Sequence, residues 1–127
     1  MVFSLIIPTK TTKAKKEIED CDEERVKEIA EYTDKKLPIN ISKISVWYKT
    51  RASNCNLEHY YEYKLQKGEI TRDMIFEAKY NDMRRRACKT SSVRNLLSRG
   101  VTVGYKFFGS QGRGIATFDI KESDCKK

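Results

Sequence analysis

The chain has 127 residues, with 26 Lys and Arg against 18 Asp and Glu and a formal net charge of +8. That length suits one domain rather than two, and although 35% of residues are charged, 10% aromatics argue against disorder. No apolar run approaches the ~18 residues that a transmembrane helix needs.

Val2 to Ile7 is the most apolar stretch, and Pro8 and a polar, lysine-rich run follow it. Two readings stand for this stretch. It is the back half of a signal peptide, without a basic n-region and with Lys13-Ala14-Lys15 as a poor cleavage site, or it is a short edge strand. Residues 1–16 are therefore read as a signal-peptide remnant or linker, and 17–127 as one domain.

Lys13 to Lys36 reads as a helix, with Ile18, Cys21, Val26, Ile29, Ala30, Thr33 and Leu37 near i, i+3, i+4 spacing. Acidic residues crowd its first half and Lys35 and Lys36 close it, an order that suits the helix dipole. Leu37-Pro38 ends it, because a residue before proline avoids the helical region. Ile39 to Tyr48 predicts a strand, Arg51 to Asn56 a polar connection, and Leu57 to Leu65 a second strand. On the second strand Leu57, His59, Tyr61, Tyr63 and Leu65 share one face. These two strands form an antiparallel hairpin most simply.

Gln66-Lys67-Gly68 breaks the pattern, and Thr71 to Cys88 predicts a second helix with Thr71 as N-cap. Ser91 to Arg99 predicts a short third helix closed by Gly100. Val101 to Phe107 and Ile115 to Ile120 predict two more strands around the glycine-rich turn Gly109 to Gly114. The predicted order α-β-β-α-α-β-β implies an α+β domain: two antiparallel hairpins in one four-stranded sheet, with the helices packed on one face.

The four cysteines are Cys21, Cys55, Cys88 and Cys125, and no CxxC occurs. Neither a zinc knuckle nor a thioredoxin-type motif is available. An even number of widely separated cysteines suits two disulfides in an oxidising compartment; four buried thiols in a cytosolic protein is the other reading. Three pairings are possible. Cys125, in a polar tail, is well placed to staple that tail.

His59 is the only histidine, and it falls mid-strand on the apolar face. Nucleophilic catalysis by Ser or Cys usually borrows such a base, but this position reads as a sheet residue. A phosphate loop would need a helix after Gly109 to Gly114, and strands flank it instead. No catalytic, metal or cofactor site is expected. Charge is uneven. Lys13–Lys36 holds 7 basic and 9 acidic residues, whereas Arg72–Arg113 holds 10 basic and 3 acidic. Arg84, Arg85, Arg86, Lys89, Arg94 and Arg99 form a candidate anion- or partner-binding face, although consecutive arginines splay around a helix. Trp47, Tyr48 and Tyr60 are candidate exposed aromatics.

Lys36-Leu37-Pro38-Ile39, Tyr61-Glu62-Tyr63-Lys64-Leu65, a helix ending at Cys88, Leu96-Leu97 before Gly100-Val101-Thr102, the Tyr105 strand and Asp124-Cys125 recur in order. In this order the chain resembles a group of small, mostly uncharacterised bacterial exported proteins, periplasmic or lipoprotein-like, over about residues 25–125. The resemblance implies a Cys88–Cys125 disulfide, with Cys21 and Cys55 as an additional pair joining the first helix to the first hairpin turn. Relatives carry an acidic Thr-Arg-Leu segment in the first strand, where this chain has Ser42 to Tyr48. The expected function is a non-enzymatic, disulfide-stabilised binding module, periplasmic or secreted, with a protein partner. The alternative is a cytosolic nucleic-acid-binding domain that uses the basic second and third helices.

Overall fold

The computed structural model describes residues 21–66 and 68–126. The segment read as a signal-peptide remnant or linker, and the first part of the predicted Lys13–Lys36 helix, lie outside the described residues. What is described of that helix is α1, Glu23–Asp34. Asp22 caps it by accepting from the Arg25 N–H, and Glu23 and Glu24 occupy the first turn, where the dipole favours them.

The strands are β1 (Ile39–Asn40), β2 (Ser45–Ser53), β3 (Asn56–Tyr63), β4 (Thr102–Phe108) and β5 (Gly114–Ile120). Between β3 and β4 run α2 (Arg72–Ile75), a π-helical turn (Phe76–Tyr80), α3 (Asn81–Lys89) and α4 (Ser91–Ser98). Thr71 caps α2 by accepting from the Met74 N–H. The chain backbone stays helical across both junctions of the π turn. A single-turn 3₁₀ segment (Ser110–Gly112) joins β4 to β5, and another (Glu122–Lys126) follows β5.

The sheet has five strands in the order β1-β2-β3-β4-β5, not the four predicted. The predicted strand Ile39 to Tyr48 is in fact a hairpin. The N–H groups of Ile41 and Ser42 both donate to the Ser45 carbonyl, and the Ser42 hydroxyl accepts from the Ile44 N–H. Serine side chains bond local backbone in this way and so favour turns over strand continuation. The predicted connection Arg51 to Asn56 shrinks to Asn54 and Cys55, both at positive φ (51° and 63°). Two such residues in a row match the twist of a two-residue hairpin.

The sheet is also not wholly antiparallel, because β3 and β4 pair in parallel. Parallel neighbours need a crossover of a dozen or more residues, which the helical segment supplies. The segment returns the chain to the starting end of β3, so Asn56 lies opposite Thr102. The other pairs are antiparallel.

The helices lie on one face of the sheet, as expected. Every buried apolar residue of β3, β4 and β5 belongs to one alternating set: Leu57 and Tyr63; Val103, Tyr105 and Phe107; Ala116, Phe118 and Ile120. Two apolar clusters cover this face. The larger places Ile75, Ala87 and Leu97 over β4 and β5. The smaller places Val26 and Ala30 of α1 against Leu57 and Val101. Helix α1 also protects the sheet edge: the Thr50 N–H donates to Asp34 Oδ1 (3.0 Å), and the Asn54 N–H to Glu23 Oε2 (3.1 Å). Edge N–H groups occupied by side chains are not available for stray strand pairing.

Candidate functional site

Cys21 is bonded to Cys55 and Cys88 to Cys125. The first bridge ties the entry of α1 to the β2–β3 turn. The second ties the end of α3 to the C-terminal 3₁₀ turn.

The six basic side chains singled out in the sequence divide into groups. Arg84 Nη1 donates to the Asp124 carbonyl (3.3 Å), and Arg94 approaches Glu122 (4.0 Å), so both reach the C-terminal turn beside the Cys88–Cys125 bridge. Arg85 and Arg86 share the Asp82 carboxylate at 3.1 Å each, one helical turn away. Lys89 is exposed near the end of α3. Arg99 lines a cavity of about 520 Å³ beside Cys21 and Cys55. Four of the six therefore have a carboxylate or carbonyl partner.

His59 lies among aromatic rings on the helix-bearing face: Trp47 meets it edge-on at 5.0 Å and Tyr105 lies at 5.5 Å. Its Nδ1 is 2.9 Å from the Thr50 hydroxyl, which also accepts from the Trp47 indole N–H at 3.1 Å. Burial pulls the imidazole pKa down to about 4, because removal from water penalises the charged form. A base held neutral this way, with a buried threonine as neighbour, organises the sheet. Burial likewise raises the phenol pKa of Tyr61, and that of Tyr105 to about 12.

The other face of the sheet is covered by no described element. Across it run Tyr48, Tyr60 and Phe108, from β2, β3 and β4. The Tyr60 and Phe108 rings stack with centroids 6.1 Å apart, and Tyr48 leans toward Tyr60 at 6.2 Å. Alternation puts the neighbouring Trp47 on the other face, and the register shift between Trp47 and Lys49 brings Lys49 opposite Tyr60 beside Tyr48. Trp47 instead faces His59 and Tyr61 on the helix-bearing side. Cations flank the strip. Lys49 Nζ and Lys106 Nζ lie 5.2 and 5.9 Å from the Tyr60 ring centre, and Lys106 also pairs with Glu58 at 3.7 Å. Tyr60 donates its hydroxyl to Glu58 Oε1 (3.1 Å). Aromatic rings are among the residue types enriched where proteins meet, whereas lysines are depleted there.

Tyr48 and Tyr60 were legible in the sequence. Phe108 was not, because the predicted strand stopped one residue short; the alternation Thr102, Gly104, Lys106 would have carried it onto this face. The opposed pair Lys49 and Tyr60 depends on the register shift, which alternation alone does not reveal.

No protein-family model matches the sequence. Among curated proteins, no relative matches it. Solved structures do share the fold. A presumed secreted protein of Pseudomonas aeruginosa superposes with a TM-score of 0.74 at 17% identity, over 87% of this chain and 96% of that one. The pilotin of the Vibrio vulnificus type II secretion system gives 0.72 at 18%, over 91% and 99%. The Vibrio cholerae type II secretion pilotin gives 0.64 at 14%, over 88% and 97%. The likeness is one of fold.

Proposed function

We propose that this chain is a non-enzymatic, disulfide-stapled binding module of the bacterial envelope or secreted fraction, and that it engages a protein partner through the uncovered sheet face. The observation that carries the reading is the strip Tyr48, Tyr60 and Phe108 on a face that no described element covers. Aromatic anchors dominate the energetics of protein interfaces, and Arg51, exposed on the same strand as Tyr48, adds a second favoured anchor type. Two disulfides suit an oxidising compartment, and the shared fold of type II secretion pilotins supports an envelope role. The nucleic-acid alternative gains no support from the arginines, four of which engage carboxylates or the C-terminal turn.

The test is site-specific photo-crosslinking in the native cell, with the reactive residue placed at Tyr60 or Phe108 and, as control, at exposed Glu28 of α1. A discrete protein adduct from the sheet positions and none from the control is expected. Adducts from all positions alike, or from none, would refute the reading. Non-reducing peptide mass spectrometry on the same material tests the compartment: four free thiols would reject export.

A further inference from the structure

The β1–β2 hairpin combines features that the uncovered sheet face lacks. Ile39, Ile41 and Ile44 are 39%, 48% and 42% exposed, three of the six large apolar side chains most open to solvent. All three lie within six residues at one corner of the sheet. The stretch 35–46 holds Lys35, Lys36 and Lys43 and no carboxylate, in a chain with 18 acidic residues. Lys64 joins them, since its N–H donates to the Ile44 carbonyl. Among the described residues, no carboxylate lies within ion-pair distance of any of these four lysines. Asp34, next to Lys35 in sequence, is held by the Thr50 N–H. Exposed Tyr32 extends the patch, with Lys36 Nζ 4.2 Å from its ring centre.

Three of the turn's backbone N–H groups are already paired. The N–H groups of Ile41, Ser42 and Ile44 each find a partner within the hairpin, and the Ser42 and Ser45 hydroxyls bond each other at 2.8 Å. Polar groups paired in this way lose little on leaving water. Exposed aliphatics on a turn whose serines and three N–H groups are paired internally, ringed by lysines without carboxylate partners and a tyrosine, match the chemistry of a lipid–water interface. There apolar side chains enter below the headgroups, aromatic rings lie at headgroup level and lysines meet anionic phosphates.

We propose that this hairpin is a membrane-surface contact for anionic lipid, with Ile39, Ile41 and Ile44 entering the interfacial layer and Lys35, Lys36, Lys43 and Lys64 meeting the headgroups. A protein partner for the same patch would need its own apolar and acidic surface at matching positions, and the fluid lipid surface needs no such register. The proposal is independent of the partner-binding reading, which uses Tyr48, Tyr60 and Phe108 on the uncovered sheet face.

The chain carries its own reporter. Trp47 is the single tryptophan and lies directly opposite Ile39. The full chain is titrated with vesicles of phosphatidylcholine containing about one third phosphatidylglycerol, and with phosphatidylcholine alone, while Trp47 emission and co-sedimentation are followed. Binding to the anionic vesicles, a blue shift of Trp47 and weakening with salt are expected. Lys36→Gln and Lys43→Gln should each lower partitioning roughly fivefold, and Ile41→Ser with Ile44→Ser at least about tenfold. Melting curves of each variant exclude misfolding as the cause. Absence of anionic-vesicle binding, or equal binding by the parent and the isoleucine variant, would overturn the proposal. So would a dimer that these isoleucine changes dissociate without any vesicle binding. Tyr60→Ala and Phe108→Ala should leave vesicle binding unchanged, and the hairpin variants should leave the crosslinked adduct at Phe108 intact; loss of one property without the other separates the two readings.

Discussion

The α3–α4 region and the β1–β2 hairpin are both basic, yet the fold treats their charge in opposite ways. On the helices, Arg85 and Arg86 close on Asp82, while Arg84 and Arg94 reach across to the C-terminal turn. On the hairpin and its borders, Lys35, Lys36, Lys43 and Lys64 meet no described carboxylate and stand beside exposed isoleucines. Local charge density in a sequence therefore says little about available charge. A helix brings i, i+3 and i+4 partners together by its own geometry, whereas a hairpin tip points its side chains outward with no neighbour to neutralise them. Arg84 and Arg94 fasten the C-terminal turn, whereas the hairpin lysines have no described carboxylate partner.

The largest expected effect tests the fastening. Cys88 and Cys125 are 37 residues apart, and removing that closed loop, as Cys88→Ala with Cys125→Ala, should cost roughly 3–4 kcal/mol in the chain-entropy description. Thermal denaturation would reveal it as the largest drop in this set; a melting temperature equal to the parent's would show that the tail is held without the bridge.

Acid comes next and acts through His59 on the central strand β3. His59 titrates near 6.5 when unfolded and about 4 when folded. Above pH 6.5 both states are neutral and the full stability is present. As the pH falls from 6.5 to about 4, only the unfolded chain gains the proton, so stability should decline by up to about 3 kcal/mol. His59→Gln should flatten that part of the pH–stability curve measured by urea titration. A slope that survives the substitution would place the acid sensitivity elsewhere.

Arginine substitutions sharpen the contrast within the helices. Arg84→Ala removes a charge-assisted bond to the Asp124 carbonyl and should cost about 1 kcal/mol. Arg85→Ala loses only an exposed pair and should stay within ~0.5 kcal/mol. Equal losses at the two positions would contradict the division between tail-holding and surface arginines. The smallest effect falls on the hairpin, where Lys43→Gln should leave unfolding stability within ~0.5 kcal/mol although it weakens lipid contact. A large stability loss there would mean that the patch is structural.

Much of the architecture was legible because it follows from short-range rules. Alternation placed Leu57, Tyr61, Tyr63, Val103, Tyr105 and Phe107 on a common face. Thr71 was marked as a cap by its hydroxyl, and proline stopped the first helix. Alternation has no knowledge of partners, however. It read Ile39 to Tyr48 as one strand, because the Ser42–Ser45 bonds that fold it into a hairpin appear only once the turn has closed. It missed the parallel pairing of β3 with β4, since strand direction depends on where the intervening helices pack. The candidate site was half visible. Tyr48 and Tyr60 could be named, but the register shift after Trp47 that brought Lys49 opposite Tyr60 could not be read.

What the sequence determined by itself was therefore most of the elements and their polar and apolar faces. Propensity, capping and periodicity act over a few residues, and a sequence displays those distances directly. The tertiary structure decided which charges find partners, which aromatic rings share a face and which apolar side chains remain uncovered. These outcomes depend on contacts between segments 16 to 48 residues apart, such as Asp34 with Thr50, Arg84 with Asp124 and Tyr60 with Phe108, which only the packed fold brings within reach.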